Sequence, residues 1–315
     1  MTLIRKFMED VEKNDFFIIG AQIRKDNVVV DEWTRFSAKP RFETYSVAKT
    51  YVGVAAGIAL EEGLITMDEC VANSFPEANF DVTNENALSI TVRDLLTMTS
   101  GLSETMIWRD GYERKHEQDW VRYFYTRGKF DNKPGTTFLY NNVNPYILGC
   151  LIEKKSGQNI REYLRYRLFE PIGINNVEWT SCPKGHTIAA NALQINIDEM
   201  GQFGQLLANG GEYNGKRIVS EKYVKEMMTP FGLDTGEFIP SDPPVGAGYG
   251  YQMWIDSVND AAYMWGIFGQ YCVVLPKKNA VVSVISLEKT DGGSNGAYET
   301  SPLRKVIWDD LVSQI

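Results

Sequence analysis

The sequence predicts an α+β fold, in which a five-stranded antiparallel sheet is flanked by N- and C-terminal helices and joined to a large, mostly helical subdomain. Short apolar runs separated by turn residues lie near both ends of the chain and indicate strands. Helical and loop sequence dominates between them. We therefore expect an α/β subdomain of residues 1–45 plus 229–315 and a helical subdomain of residues 46–228, which together form one unit of residues 1–315.

The N-terminal part of the sheet is predicted from three short segments. Residues 3–14 have the apolar spacing of an amphipathic helix, and residues 16–23 form an apolar run typical of a strand. The pair Asp26-Asn27 predicts a turn into a second strand over residues 28–33. These two strands should form a hairpin behind the first helix.

The C-terminal part supplies the other three predicted strands, over residues 261–267, 271–275 and 280–287. Glycine-containing and Pro-Lys-Lys-Asn turns separate them. Residues 303–315 are helical in pattern and should cover the sheet beside the N-terminal helix. The intervening segment carries helix start and stop signals for residues 46–62, part of 91–101, residues 144–155 and residues 198–209.

Composition argues against several classes of partner. The net charge of −9 disfavours nucleic acid and anionic membrane surfaces. No apolar run reaches the roughly 18 residues of a membrane span, and acidic residues occur too early for a signal peptide. The four cysteines are scattered without a Cys-x-x-Cys pair, as expected of free thiols in a reducing compartment. We therefore expect a cytoplasmic protein that binds neither nucleic acid nor membrane.

The two histidines restrict the possible chemistry further. His116 lies in a charged run that indicates a solvated helix start, and His186 lies in a predicted loop. A Ser-His-Asp hydrolase would need one of them, and the sequence lacks the Gly-x-Ser-x-Gly turn of many such enzymes. A zinc hydrolase usually needs more histidines at ligand spacing. If the chain is a hydrolase, we expect a base other than histidine.

Ser-x-x-Lys occurs three times, and only Ser46–Lys49 precedes a long apolar helix. Pro183 in the second copy indicates a loop, and Ser286 of the third ends a predicted strand. Residues three apart on a helix share a face, so an amine and a hydroxyl would meet at the helix start. Burial and the helix dipole would both favour the neutral amine, which is a base beside a nucleophile. The alternative interpretation is an ordinary helix cap.

A tyrosine and an asparagine two residues apart, Tyr140 and Asn142, follow Pro134-Gly135 in an extended turn. Side chains two apart on an extended segment point the same way, so both can line one cleft. Tyr140 could exchange a proton with Lys49, while the Asn142 amide could hold the lysine and a substrate carbonyl. The alternative is a surface turn with an aromatic anchor.

Taken together, the chain resembles the serine β-lactamase and penicillin-binding-protein superfamily, in the branch of class C β-lactamases, related esterases and nylon-oligomer amide hydrolases. The resemblance rests on several separate motifs in the family's order: residues 45–49, 90–102, 134–142, 210–213 and 219–220. It implies the β-lactamase/transpeptidase-like fold. It also implies that Ser46 is the nucleophile and that Lys49 and Tyr140 share the role of base, in an order that the sequence leaves open.

The family's third motif is usually Lys-Thr-Gly or His-x-Gly, and the similar position here is Met264-Trp265-Gly266, which continues into Ile267-Phe268. By resemblance, Gly266 lets the backbone approach the substrate, and the N–H groups of Ser46 and Ile267 form the oxyanion hole. Met264 cannot hold a carboxylate as the family's polar residue does. With Trp265 and Phe268 as an apolar wall, we expect β-lactams and D-Ala-D-Ala peptides to be poor substrates.

The resemblance thus implies a serine hydrolase of small esters or amides that needs no metal and no organic cofactor. One alternative is a weak β-lactamase or D-amino-acid peptidase. An alternative of another class is a non-catalytic binding or assembly protein that keeps the fold. The complete set of Ser46, Lys49, Tyr140 and Asn142 argues against that last alternative.

Overall fold

The computed structural model describes residues 2–108, 111–233, 235, 248–288 and 302–315. Most strands of the large sheet lie near the two chain ends and most helices lie between them, as the sequence predicts. The helices among these residues are α1 (Leu3–Lys13), α2 (Ala48–Glu61), α3 (Pro76–Asn79), α4 (Glu85–Leu88), α5 (Val92–Leu96), α6 (Tyr112–His116), α7 (Trp120–Arg127), α8 (Val143–Ser156), α9 (Ile160–Leu164), α10 (Ile197–Ala208), α11 (Glu221–Met227) and α12 (Pro302–Asp310).

The strands form one large sheet and two small ones. They are β1 (Ile18–Lys25), β2 (Val28–Thr34), β3 (Phe42–Glu43), β4 (Glu178–Trp179), β5 (Leu193–Ile195), β6 (Glu212–Tyr213), β7 (Lys216–Arg217), β8 (Trp254–Asp256), β9 (Ala261–Gly266), β10 (Gln270–Leu275) and β11 (Ala280–Ser286). The large sheet is antiparallel throughout, in the order β2-β1-β11-β10-β9-β8. Strands from both chain ends therefore share one sheet, as predicted.

The α+β class is confirmed, but the large sheet has six strands where the sequence predicted five. The additional strand, β8, pairs with β9 at the sheet edge, with Trp254 opposite Tyr263 and Asp256 opposite Ala261. At three residues, β8 is too short to show the alternation of apolar and polar side chains by which a strand is recognised. β8 is a strand only because it pairs with β9, and that pairing is a tertiary contact.

Helices cover both faces of this sheet. α1 and α12 pack side by side on one face, over a cluster that contains Phe7, Val282 and Ile307. α10 packs on the opposite face, against β1, β10 and β11. The sequence assigned α10 to the helical subdomain, yet its contacts join that part of the chain to the sheet. The division into two subdomains stays a prediction.

The centre of the helical part is α2, in which 12 of 14 residues are buried. A helix that is apolar on all sides belongs in the interior, and α2 packs against α8, α9 and α11. Thr91 and Asp94 form a capping box at the start of α5, within the segment where the sequence predicted a short helix. Gly157, at a φ of +72°, ends α8 in the left-handed conformation.

Two local predictions need correction. Ser46 lies in a 3₁₀ turn over Tyr45–Val47, and the α-helix begins only at Ala48. The charged run around His116 is not a helix start, because α6 ends at that residue. Helix boundaries depend on backbone hydrogen bonds that composition does not specify.

All four cysteines are free thiols; Cys70 is partly exposed and the other three are buried. Among the residues that the structure describes, none of the helices combines the length and apolarity needed to cross a bilayer.

The buried Asp256 carboxylate joins the sheet edge to the C-terminal helix. One oxygen accepts hydrogen bonds from the backbone N–H groups of Val258 (3.0 Å) and Asn259 (3.1 Å). The other accepts hydrogen bonds from Trp308 Nε1 of α12 at 2.8 Å and from Asn259 Nδ2 at 2.7 Å. Asp256 is 0% exposed, so water cannot replace it as an acceptor.

We expect Asp256→Ala to lower the free energy of unfolding by about 2–4 kcal/mol, because it leaves the buried indole N–H and two backbone N–H groups without an acceptor. The matched control is Asp309→Ala on α12, which removes an exposed ion pair with Lys305 and should cost no more than about 1 kcal/mol. Urea unfolding measures both variants. Equal losses would contradict this role of Asp256.

Candidate active site

The Ser46 hydroxyl and the Lys49 amine are in direct contact. Lys49 lies in the first turn of α2, and its Nζ is 2.9 Å from Ser46 Oγ. Ser46 is half-buried, whereas the lysine side chain is only 1% exposed. The 3₁₀ turn leaves the hydroxyl accessible while the helix carries the amine into the core.

Three oxygen atoms surround the Lys49 amine. Besides Ser46 Oγ, they are Asn142 Oδ1 at 2.8 Å and the carbonyl oxygen of Ala190 at 3.0 Å. A neutral amine has two N–H donors and one lone pair. It can donate to the two carbonyl-type oxygens and accept the proton of the Ser46 hydroxyl. The geometry therefore accommodates the neutral amine, with the Ser46 hydroxyl as the donor to it.

The electrostatic environment favours the same protonation state. Burial lowers the pKa of Lys49 well below its ordinary value, because the ammonium loses its hydration. The positive charge of Arg114 lowers that pKa further. Arg114 Nη1 donates to Asn191 Oδ1 at 3.3 Å, next to the Ala190 carbonyl that accepts from the amine.

Tyr140 faces the amine with its ring. Lys49 Nζ is 4.9 Å from the ring centroid, and the tyrosine is 5% exposed. The ring stacks on Trp254 at 5.3 Å and meets the edge of Tyr249 at 6.0 Å. β8, the strand that the sequence did not predict, thus holds Tyr140 in place. Aromatic packing on two sides fixes the orientation of its ring.

Asn142 directly precedes α8, and both ends of its side-chain amide are hydrogen-bonded. Its Oδ1 accepts from Lys49, and its Nδ2 donates to the carbonyl oxygen of Ile107 at 3.2 Å. Ile107 has a φ of +57°, which is rare for a β-branched residue. The amide orientation is therefore set by a strained backbone carbonyl on one side and the lysine on the other.

β9, which carries the third motif, lies against the 3₁₀ turn Tyr45–Val47, called the nucleophile turn below. A Cβ at Gly266 would come within 2.3 Å of the Thr44 carbonyl oxygen, so only glycine fits there. Beyond it, the Phe268 ring meets the edge of Tyr45, the neighbour of Ser46, at 5.0 Å. Tyr45 and Phe268 both have positive φ, at +49° and +68°. Ile267 lies between these contacts, in the turn after β9.

Two side chains of this motif point to opposite faces of β9. Met264 is 1% exposed and packs in the larger core, on the face of Gly266. Trp265 is partly buried against the smaller core, which contains Tyr271, its partner across β10. Phe268, one of the two aromatic residues expected to form an apolar wall, contacts Tyr45 beside Ser46.

The other two Ser-x-x-Lys motifs do not resemble this arrangement. Ser181 lies in a bridge with Thr187, and the Lys184 amine pairs with Asp119 at 2.6 Å. Ser286 ends β11, as predicted, and Lys289 lies outside the described residues.

Sequence reasoning missed three groups around the amine: Arg114, the Ala190 carbonyl and the Ile107 carbonyl. The interpretation of Arg114 as part of a solvated helix start overlooked its proximity to Lys49. Positively charged residues occur on many surface helices, so the sequence around Arg114 gives no signal that its charge acts on Lys49. Backbone carbonyls contribute regardless of side chain, and only tertiary structure can identify them.

Comparison with curated proteins gives partial matches. Protein flp of Staphylococcus aureus is 24% identical over 151 residues, which are 48% of this chain and 30% of that protein. The beta-lactamase of Escherichia coli is 31% identical over 142 residues, or 45% of this chain and 35% of that enzyme. The matches thus span about a third of these relatives' lengths.

Solved structures match the whole fold at low identity. A proposed 6-aminohexanoate-dimer hydrolase from Bacillus anthracis has a TM-score of 0.76 at 20% identity, covering 98% of this chain and 80% of that one. EstCE1, described as a hydrolase with promiscuous acyltransferase activity, has a TM-score of 0.77 at 14% identity, covering 98% of both chains. A family VIII carboxylesterase has a TM-score of 0.74 at 17% identity, covering 99% of this chain and 96% of that one.

The sequence profile of the Beta-lactamase family covers nearly the entire chain, matching residues 14–298. This match includes Ser46, Lys49, Tyr140 and the strand of the third motif. The chain therefore belongs to the Beta-lactamase family.

Proposed function

We propose that this protein hydrolyses small neutral esters or amides through an acyl-enzyme on Ser46. The observation that carries the proposal is the contact between Ser46 Oγ and Lys49 Nζ at 2.9 Å, with the amine buried in the core. A buried amine with a lowered pKa is a base at neutral pH, and a hydroxyl within hydrogen-bond distance is its nucleophile.

In acylation, Ser46 Oγ attacks the substrate carbonyl carbon and its proton passes to Lys49 Nζ. The backbone N–H groups of Ser46 and Ile267 hold the oxyanion. When the intermediate collapses, the bond to the leaving group breaks and the proton reaches that group by way of the Tyr140 hydroxyl. Lys49 and Tyr140 thus share the acid–base role, and the lysine returns to the neutral form.

Deacylation reverses these roles. Water attacks the acyl carbon and gives a proton to the same base, the bond to Ser46 Oγ breaks, and the serine recovers its proton. Asn142 keeps Lys49 oriented during both steps, because its amide is fixed by the Ile107 carbonyl. Because both hydrogen bonds persist, Asn142 Oδ1 stays directed at the amine throughout the cycle.

The preference for neutral substrates rests on the third motif. The position that carries a polar residue in carboxylate-binding relatives is Met264, which is buried and apolar. The adjoining surface at the nucleophile turn is the Phe268 ring against Tyr45. Such a wall favours modest apolar acyl groups. The esterase and amide-hydrolase descriptions of the structural neighbours agree with this choice.

A second candidate is a weak β-lactamase or D-amino-acid peptidase, which the partial identity to the Escherichia coli beta-lactamase favours. Both candidates use the same nucleophile and base and differ in the substrate that they accept. A non-catalytic binding protein is disfavoured by the intact contacts of Lys49 with Ser46 and Asn142.

Replacing the nucleophile tests the mechanism directly. Ser46→Ala should lower the hydrolysis of p-nitrophenyl butyrate by roughly 10³-fold or more and abolish labelling by a fluorophosphonate probe. The matched control is Ser181→Ala, which changes the serine of another Ser-x-x-Lys motif and should leave rate and labelling unchanged. A Ser46→Ala enzyme with nearly wild-type turnover would place the nucleophile elsewhere.

Substrate preference separates the two candidates. A charge-assisted hydrogen bond to a carboxylate is worth about 1.5–3 kcal/mol, or about 10–100-fold in affinity, and Met264 cannot supply it. One preparation of the wild-type protein should therefore turn over p-nitrophenyl acetate and butyrate well and nitrocefin poorly, as judged by kcat/KM. Efficient nitrocefin hydrolysis that disappears in Ser46→Ala would instead identify a β-lactamase.

The effect of the Arg114 charge on Lys49 is tested by the pH profile of kcat/KM. Activity rises with pH as Lys49 becomes neutral, so the rising limb reports the pKa of the amine. Arg114→Gln removes a positive charge, raises that pKa and should move the limb to higher pH with the plateau retained. Arg114→Lys keeps the charge and should restore the wild-type limb. A limb that stays in place in Arg114→Gln would show that Arg114 does not tune the base.

A further inference from the structure

A second group of reactive side chains lies outside the proposed catalytic site. Cys150 and Glu153 are three residues apart on α8 and therefore share a face of that helix. His186, from the loop between β4 and β5, meets them there. Among the described residues, these three form the cluster of His, Cys, Asp and Glu that could hold a metal ion, with donor atoms within 4.8 Å of one another.

The Glu153 carboxylate is held in place before any ion binds. Glu153 Oε1 accepts hydrogen bonds from the backbone N–H groups of Ile160 and Thr187, both at 3.0 Å. The other oxygen, Oε2, lies 2.8 Å from His186 Nδ1. The carboxylate is 8% exposed and cannot rotate without breaking both backbone bonds. A carboxylate oriented in this way is typical of a site prepared for a ligand.

An ion can reach this point from solvent. A cavity of about 450 Å³ is lined by Cys150, Glu153 and His186, together with Asp119 and Lys184. The His186 side chain is 35% exposed and borders the opening. Two lysines also line the cavity, and both amines are paired with carboxylates: Lys184 with Asp119 and Lys154 with Glu77, each at 2.6 Å. The cavity also has room for water as a further ligand.

We propose that Cys150 Sγ, Glu153 Oε2 and His186 Nδ1 bind one divalent transition-metal ion, with Zn²⁺ the best match, and that water completes a tetrahedral site. Sulfur, imidazole nitrogen and a single carboxylate oxygen suit zinc, whereas calcium and magnesium require oxygen ligands. Binding releases the thiol proton, and the imidazole carries its remaining proton on Nε2.

The geometry needs only a small adjustment. Oxygen and nitrogen ligands of tetrahedral zinc are separated by roughly 3.3–3.5 Å, given bonds of about 2.0–2.2 Å. The present distance between Glu153 Oε2 and His186 Nδ1 is 2.8 Å. Rotation of the partly exposed imidazole opens that gap while the Glu153 carboxylate keeps both backbone hydrogen bonds.

The proposed metal site is separate from the proposed reaction. Cys150 is eight residues beyond Asn142 in α8, which corresponds to roughly 12 Å along a helix axis. The ion would link α8 to the loop of His186 and, through Glu153, to the start of α9 at Ile160. We therefore assign it a structural role, and binding should stabilise the folded state by mass action.

The test uses the purified 315-residue chain, treated with EDTA and then dialysed. Titration with Co²⁺ should give one equivalent per chain and a thiolate-to-cobalt charge-transfer band that Zn²⁺ abolishes by displacement. Cys150→Ser and His186→Gln should each remove the band or weaken Co²⁺ binding at least roughly tenfold. Cys70→Ser, which changes the partly exposed cysteine outside the cluster, is the matched control and should behave as wild type.

Thermal unfolding with and without Zn²⁺ provides a second readout. The wild-type and Cys70→Ser melting temperatures should rise with Zn²⁺, and those of Cys150→Ser and His186→Gln should not. Melting in EDTA shows that each variant is folded, and the partly exposed His186 makes His186→Gln the variant least prone to misfold. A wild-type protein without a cobalt band, or a band that survives both ligand substitutions, would overturn the proposal.

Discussion

The buried amine of Lys49 is the constraint on which the arrangement of the site depends. An amine without water around it is stable only if its donors and its lone pair find partners. Asn142 and the Ala190 carbonyl take the two donors, and Ser46 stands at the third position. Each partner comes from a different segment of the chain, so the core must close around α2 before the nucleophile has its base.

Strained backbone surrounds this amine. Tyr45 precedes the nucleophile, Ile107 supplies the carbonyl that orients Asn142, and Phe268 packs on Tyr45; all three have positive φ. Each such residue costs on the order of 1–3 kcal/mol, which the rest of the fold must offset. The buried α2 and the two packed faces of the sheet are the sources of that stability. Three of the positions with positive φ therefore lie beside the proposed catalytic residues, while others lie in turns elsewhere in the fold.

Charge near the site differs from what the family resemblance implies. Met264 is buried and apolar at the position where the resemblance implies a polar residue, while the positive charge of Arg114 lowers the pKa of Lys49. A cation at that place acts on the protonation of Lys49. The same fold can therefore keep its nucleophile and base while it changes which substrates it holds, because these functions reside on separate segments.

The sequence by itself determined the α+β class, the sheet built from both chain ends, and the pairing of Ser46 with Lys49, because apolar periodicity and helical spacing are local properties. It also placed Tyr140 and Asn142 together, by their spacing in one turn. Only the tertiary structure decided the strand β8 that supports Tyr140, the carbonyls around the amine and the proximity of Arg114. These depend on which segments meet in the folded chain, and neither a three-residue strand nor a backbone carbonyl leaves a pattern in the sequence.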